Sequence, residues 1–217
     1  LGFVHLLVLG WIMSFIAGSA YQLIPVLTGA NLCFSAGAKI HAILHIIGVP
    51  IMIGGFHSGN AILLITGGGV VAVGILLLII NGIVTANIQS LWTIEAVTIV
   101  QVLSWLTLTI LLGIWMTFER FGSAMPIAQS SMVSIHLISG IGGGFLLLLM
   151  GVSFKLLPMF LISNLCFPAL AWSSNLIWNF GVFLLIISFF PMVAFLQSWG
   201  LACLLLGLML YLAEVIF

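Results

Sequence analysis

Five histidines are the side chains of this sequence best suited to chemistry, because imidazole binds metals and moves protons near neutral pH. Apart from these histidines, the chain of 217 residues contains only three Lys or Arg residues and three Asp or Glu residues. His5 and His136 each lie near the start of a long apolar run, and ionisable residues inside a membrane are usually functional. Two imidazoles from facing helices are enough to hold one haem iron. The sequence therefore predicts a b-type haem with His5 and His136 as its iron ligands.

A second pair of histidines, His41 and His45, is spaced i, i+4 and so shares one helix face. Glu95 begins a later apolar run, near the same predicted membrane face. These three residues are candidates for a quinone site that takes up protons as electrons leave, and the two histidines are also candidates for a second haem. The alternative is that His41 and His45 are interfacial and hydrogen-bond to lipid head groups or loop carbonyls, and that Glu95, like Glu214, is an interfacial acid that faces water.

The loop before His136 contains Arg120, which is a candidate partner for a haem propionate. The alternative is that the neighbouring Glu119 neutralises this arginine. The three cysteines have no metal-site spacing, and without a C-x-x-C-H motif covalent haem attachment is excluded. Because no four His or Cys ligands gather at one end of the predicted spans, structural zinc is not expected.

The elements that position these residues must be membrane helices. Hydrophobic residues make up 64% of the chain and charged residues 3%, against about 25% charged in soluble domains. The mean hydropathy is +1.48. This composition excludes soluble, disordered, nucleic-acid-binding and disulfide-framework classes, and it predicts an all-α polytopic bundle embedded in a lipid bilayer.

Seven apolar runs are long enough to cross a bilayer, which takes roughly 20 residues. The predicted spans are Phe3–Val26, Ala38–Phe56, Ala61–Val84, Leu91–Thr117, Met132–Leu157, Leu170–Phe195 and Ser198–Phe217. Run length and the lack of alternating polarity exclude a closed β-barrel. The chain opens at Leu1 inside an apolar run, so we expect that its true start is missing.

An internal repeat relates the two halves of the chain by a shift of 133 positions. Asn31-Leu32-Cys33-Phe34 recurs unchanged as Asn164-Leu165-Cys166-Phe167, and several Gly and Pro residues superpose. We expect one membrane domain over 1–217, with repeat one at about 1–118 and repeat two at about 131–217. We expect the four-span units to be parallel. The second unit stops after its third span, so we expect either that its last helix is missing from the chain or that a neighbouring subunit takes its place.

The histidines of the two repeats are not strictly equivalent. His5 precedes Gly10 by five residues, whereas His136 precedes Gly143 by seven. On a regular α-helix this offset rotates the side chain by about 200°, so the two helices are expected to present imidazoles on different faces. The glycine runs near residues 67 and 142 are expected to allow close helix packing; the alternative is room for a flat ligand.

The motif His5-Leu-Leu-Val-Leu-Gly10, followed by Gly18-Ser-Ala-Tyr21-Gln-Leu-Ile-Pro25, resembles subunit I of haem-copper oxidases, in particular its nitric-oxide-reductase-like members. The stretch from His136 to Pro158 is similar to a second copy. The resemblance covers roughly residues 3–27 and 136–160, and it implies a low-spin haem held by His5 and His136. That family also needs a His-His pair, which this sequence lacks. The resemblance therefore implies an electron-transfer haem without the binuclear reaction centre.

These patterns together predict a membrane b-type cytochrome subunit in the plasma membrane of a prokaryotic cell. We expect it to carry electrons between quinol or another redox partner, such as an extracytoplasmic cytochrome, and other subunits of a respiratory complex. It is more an electron-transfer subunit than a complete oxidase. Two alternatives remain open: a membrane transporter or channel, since transporters also contain repeats, and a haem-free structural subunit of a respiratory supercomplex.

Overall fold

The computed structural model describes residues 1–88, 93–119, 127–165 and 167–216. Within these ranges the secondary structure is helical, and seven helices are long and apolar enough to cross a membrane. The prediction of an all-α polytopic bundle is therefore confirmed, and the chain is an integral membrane protein. The hydrogen bonding of the backbone explains why the chain is helical, because every amide inside lipid must find its hydrogen-bond partner within the protein.

Two of the seven helices contain a π-helical segment, and the other five are regular. We name the helices α1 to α7 in chain order. Helix α1 consists of Gly2–His5, π-helical Leu6–Met13 and Ser14–Thr28, and α5 consists of Gln129–Leu137, π-helical Ile138–Leu146 and Leu147–Leu161. The others are α2 (Ala36–Ser58), α3 (Ala61–Ile88), α4 (Ile94–Phe118), α6 (Pro168–Ile187) and α7 (Leu196–Ile216).

The sixth helix is shorter than its apolar run. The sequence predicts a span to Phe195, whereas α6 ends at Ile187 and a short 3-10 turn follows at Pro191–Val193. Pro191 lacks an amide proton, so it cannot continue the helical hydrogen-bond pattern. Hydropathy alone does not predict that α6 ends at Ile187, because the residues after Ile187 are still apolar.

The described residues form two compact units. The first lies within Leu1–Ser90 and Ile110–Pro126, and the second within Leu91–Thr109 and Ile127–Phe217. The part of α4 up to Thr109 thus belongs to the second unit. The repeat boundaries expected from the sequence, about 1–118 and 131–217, stay predictions.

In the first unit, α2 and α3 form a closely packed helical hairpin. A methyl group added at Gly67 would overlap the backbone of Met52, and one added at Gly55 would overlap the backbone of Leu64. These glycines let the two helix backbones approach more closely than any larger residue would allow. The packing interpretation of the glycines is confirmed at these positions.

In the second unit, α6 and α7 form the corresponding hairpin. A methyl group at Gly181 would lie 3.0 Å from the carbonyl oxygen of Gly200, and one at Gly207 would lie 3.1 Å from the amide nitrogen of Trp178. On α5, the glycines at 143 and 144 pack against Trp105 and Leu106 of α4. These contacts again favour close packing over an open slot.

Positions 133 residues apart also have similar local backbone geometry. The two π-helical segments coincide under this shift to within one residue. The first helix of each repeat ends on a left-handed residue, Gly29 at φ 69° and Ile162 at φ 52°, again 133 positions apart. Glycine adopts this conformation without strain, whereas a β-branched residue such as Ile162 does so at a cost. The internal repeat is thus visible in backbone conformation as well as in sequence.

Candidate functional site

His5 lies at the end of the first α-helical turn of α1, directly before the π-helical segment. Its Nδ1 lies 3.1 Å from the carbonyl oxygen of Leu1, and its ring stacks on Phe56 of α2 with the centroids 4.6 Å apart. A carbonyl oxygen only accepts hydrogen bonds, so Nδ1 carries the proton. In the neutral ring the lone pair is therefore on Nε2.

His136 is held in the same way in the second unit. Its Nδ1 lies 3.0 Å from the carbonyl oxygen of Thr109 on α4. The Thr109 hydroxyl in turn donates to the carbonyl of Trp105, and it lies 2.9 Å from the Ser139 hydroxyl. The bond to the Thr109 carbonyl fixes the tautomer of His136, which again places the lone pair of the neutral imidazole on Nε2.

The expected rotation of about 200° between the two histidine side chains assumed a regular α-helix around each of them. This assumption is wrong. The residues between His5 and Gly10, and most of those between His136 and Gly143, lie in π-helical segments. A π-helix bonds residues five apart and turns less per residue than an α-helix. The 200° figure therefore does not apply to these helices.

The other predicted histidine pair lines a chamber in the first unit. The chamber has a volume of about 410 Å³ and lies between α1 and α2, with Ser14, Gly18 and Tyr21 on one side and Ala38, His41 and His45 on the other. The ring centroids of His41 and His45 are 5.5 Å apart, and those of Tyr21 and His41 are 5.7 Å apart. The i, i+4 spacing correctly predicts that the two imidazoles come together.

Polar atoms without a partner surround this chamber. His41 is 2% exposed and His45 is 5% exposed. Both ring nitrogens of His41, the Nδ1 of His45 and the Tyr21 hydroxyl form no hydrogen bond with the described residues. Buried polar atoms normally have partners, so each exception calls for an explanation. The burial of the two imidazoles does not match the alternative in which they face lipid head groups, although His45 does contact a backbone carbonyl.

His45 also has a structural bond. Its Nε2 lies 2.8 Å from the carbonyl oxygen of Leu9, inside the π-helical segment of α1. Nε2 is therefore the protonated nitrogen, and Nδ1 of the neutral ring is a buried acceptor without a donor. The same ring thus anchors α2 to α1 and leaves an unused lone pair next to the chamber.

The equivalent positions of the second unit are filled. Where the first unit has Ser14, Ala17, Tyr21, His41 and His45, the second has Leu147, Met150, Phe154, Ser174 and Trp178. All five of these side chains are buried. The Thr98 side chain of α4 packs against Gly151, whereas the equivalent Gly18 has open space beside it. Ala42 of the chamber wall corresponds to Asn175, which also contacts Thr98. In repeat two this space is therefore occupied by α4, the helix that precedes α5.

Three further residues were predicted to have a site or interfacial role: Glu95, Arg120 and Glu214. Glu95 is 9% exposed in the first turn of α4 and belongs to the second compact unit, whereas His41 and His45 belong to the first. Arg120 lies outside the described residues. Glu214 is 5% exposed, and its carboxylate accepts from the amide of Phe167 at 2.9 Å. Glu214 therefore holds the loop before α6 rather than facing water.

Sequence reasoning missed two sets of residues. The sequence motif contains Tyr21 but does not predict that its hydroxyl lies among the unpartnered atoms of the chamber. In the second unit, Asn175 donates to Thr98 at 2.8 Å, and Trp105 donates to Asn179 at 2.8 Å. Polar residues four apart in an apolar run, as at 175 and 179, are the signal that points to such a network.

Among the described residues, no three His, Cys, Asp or Glu side chains come together to hold a metal ion. A haem needs only two protein ligands, so such a group is not required for it. No family model, curated protein or solved structure matches this chain. The class that the fold defines is an integral membrane protein of seven apolar helices.

Proposed function

We propose that this chain is a membrane b-type cytochrome subunit, related to subunit I of haem-copper oxidases but without a binuclear centre. It would carry electrons between quinol or another redox partner and a respiratory complex in a prokaryotic plasma membrane. The observation that carries the proposal is the orientation of two imidazoles. His5 and His136 each lie in the first helix of a repeat, and each donates Nδ1–H to a backbone carbonyl, His5 to Leu1 and His136 to Thr109.

This arrangement is the one expected of histidines that ligate a metal. A metal-bound imidazole almost always donates its other N–H to a carbonyl, a carboxylate or water, which fixes the tautomer and the ring orientation. In this tautomer Nε2 is the nitrogen of each neutral ring that would bind iron. The donor set of two neutral imidazoles fits a low-spin b-type haem.

The surroundings of both rings suit an electron carrier in lipid. The Leu1 and Thr109 carbonyls each accept the Nδ1 proton, which holds the two rings in a defined orientation. Phe56 supplies an apolar wall to His5, and burial in apolar surroundings tunes the reduction potential. When bound, haem b supplies reversible one-electron transfer, while the chain orients it and excludes water.

The reduced-minus-oxidised absorption spectrum of the purified protein tests this proposal. We expect a b-type Soret and α-band change in the wild type, and its loss or marked weakening in both His5→Ala and His136→Ala. His57→Ala is the matched control, because His57 is an exposed histidine in the last turn of α2. A wild-type protein without a haem signal, or two ligand variants with the full signal, would contradict the proposal.

A further inference from the structure

The π-helical segments of α1 and α5 each begin within two residues of a predicted iron ligand. His5 directly precedes Leu6–Met13, and His136 lies two residues before Ile138–Leu146. We infer that Trp178 of α6 is a positioning residue for His136, because its indole N–H holds the adjacent segment in the π-helical form that fixes the angle of this imidazole. The inference deepens the proposed cytochrome function and rests on it.

The π-helical segment of α5 leaves the Gly142 carbonyl without its regular amide partner. In a π-helix, the amide of Leu147 would bond to this carbonyl five positions earlier. In the structure the Leu147 amide bonds to the carbonyl of Gly144 instead. The indole N–H of Trp178 donates to the Gly142 carbonyl over 2.9 Å. The side chain of α6 thus takes the place of a backbone amide of α5.

The same exchange of partners occurs in repeat one. The Ser14 amide, five residues after Leu9, bonds to the carbonyl of Trp11. The His45 imidazole donates to the Leu9 carbonyl over 2.8 Å. Both the donor and the acceptor are 133 positions before those of repeat two. Two different ring systems therefore supply an N–H to the same backbone position, which indicates that the donor, rather than the shape of the side chain, is what this position requires.

Loss of the indole N–H would favour a regular α-helix in place of the π-helical segment. A carbonyl inside lipid must find its donor within the protein. An α-helix supplies one, since the Leu146 amide would then bond to the Gly142 carbonyl four residues earlier. A π-helix turns less per residue than an α-helix. Conversion of one turn would therefore rotate the part of α5 before it by roughly 100°, about the angle of one α-helical residue.

His136 lies on the part of α5 that such a conversion would rotate. The part after the segment is held in place, because Leu147 and Phe154 are at most 1% exposed and Gly151 packs against the Thr98 side chain. A rotation would therefore displace the imidazole of His136, whose Nδ1 lies 3.0 Å from a carbonyl of α4. Trp178 thus acts on the iron ligand through the backbone at Gly142.

Electron paramagnetic resonance of the oxidised protein in lipid nanodiscs tests the inference, because the g-values of a low-spin haem depend on the orientation of its two imidazoles. Trp178→Phe keeps an aromatic ring and removes the N–H. We expect it to shift the g-values or to lose part of the low-spin signal. Trp199→Phe is the control, since this ring is 64% exposed, and it should keep the wild-type g-values. Wild-type g-values in Trp178→Phe would overturn the inference.

Trp178→His separates the positioning role from a purely structural one. Imidazole is smaller than indole, so this variant loses packing at a side chain that is 7% exposed, and it should be less stable than Trp178→Phe. It still has a ring N–H, as His45 does in repeat one, so we expect g-values closer to the wild type than those of Trp178→Phe. The opposite order would show that packing rather than the N–H positions His136, which would refute the inference.

Amide hydrogen exchange provides a second measurement that needs no haem. We expect the amides of residues 138–147 to exchange about tenfold faster in Trp178→Phe than in the wild type, because the segment loses one buried hydrogen bond. Trp199→Phe should exchange at the wild-type rate in the same peptides. Unchanged exchange in Trp178→Phe would contradict the inference.

The spectrum of the wild type separates this inference from the proposed function. A wild-type haem signal, together with unchanged g-values in Trp178→Phe, refutes the positioning role and leaves the cytochrome proposal standing. A wild type without a haem signal refutes the cytochrome proposal. Faster exchange in Trp178→Phe would then still support the indole as the group that holds the π-helical segment.

Discussion

The imidazole of His45 donates through Nε2 to the carbonyl oxygen of Leu9 over 2.8 Å, and this bond links the second helix to the π-helical segment of the first. The second repeat contains the same connection with a different side chain, since Trp178 donates to the Gly142 carbonyl over 2.9 Å. Both donors and both acceptors are 133 residues apart. A ring N–H that caps a π-helical carbonyl is therefore a structural element of both repeats.

We predict that Trp178→Phe lowers the free energy of unfolding by roughly 1–2 kcal/mol, because the Gly142 carbonyl loses its side-chain donor while the ring remains. Thermal unfolding in detergent, followed by circular dichroism, measures the change. Trp199→Phe is the control, since Trp199 is 64% exposed and a change there is expected to have little effect. An equal loss of stability in both variants would show that the hydrogen bond is not responsible.

The glycines of α3 allow a matched pair of substitutions. Gly67→Ala is expected to lower the free energy of unfolding by about 1–3 kcal/mol, because the new methyl group overlaps the Met52 backbone. Gly69→Ala, two residues away, meets open space, so we expect a change within about 1 kcal/mol, in the stabilising direction. Denaturant titration of the two proteins checks the difference. Similar stabilities would contradict the close approach of α2 and α3.

The carboxylate of Glu214 is predicted to act as a hydrogen-bond acceptor rather than as a proton carrier. The equivalent residue, Asn81, accepts from the Phe34 amide at 3.1 Å through its carboxamide oxygen, as Glu214 accepts from Phe167. Glu214→Gln should therefore keep the stability to within about 1 kcal/mol, whereas Glu214→Ala should cost about 1–3 kcal/mol. Thermal unfolding distinguishes the two variants, and a Gln variant as unstable as the Ala variant would refute this role.

Much of the fold is predictable from hydropathy, because a lipid-spanning helix needs a long apolar run and little else. The pairing of His41 with His45 is predictable for an equally simple reason, since residues four apart share a helix face. The repeat is visible because Asn-Leu-Cys-Phe and the paired glycines recur at one fixed spacing.

Other features depend on tertiary packing that the sequence does not display. Tyr21 and His41 are distant in sequence, and only the packing of α1 on α2 brings their rings together. The π-helical segments carry no composition signal, so the angular position of His5 and His136 is not predictable from an ideal α-helix. The sequence alone favours an interfacial position for Glu214, because it does not reveal that the loop at Phe167 passes beside this carboxylate.

The central claim, ligation of haem by two histidines, is tested most directly by chemical rescue of His136→Gly. Removing the ring should abolish the low-spin b-type absorption spectrum, and millimolar imidazole should restore it, because free imidazole can occupy the space that the side chain leaves and bind the iron in its place. Recovery of the wild-type spectrum on adding imidazole is the predicted result. An unchanged low-spin spectrum in His136→Gly before any imidazole is added would contradict the claim.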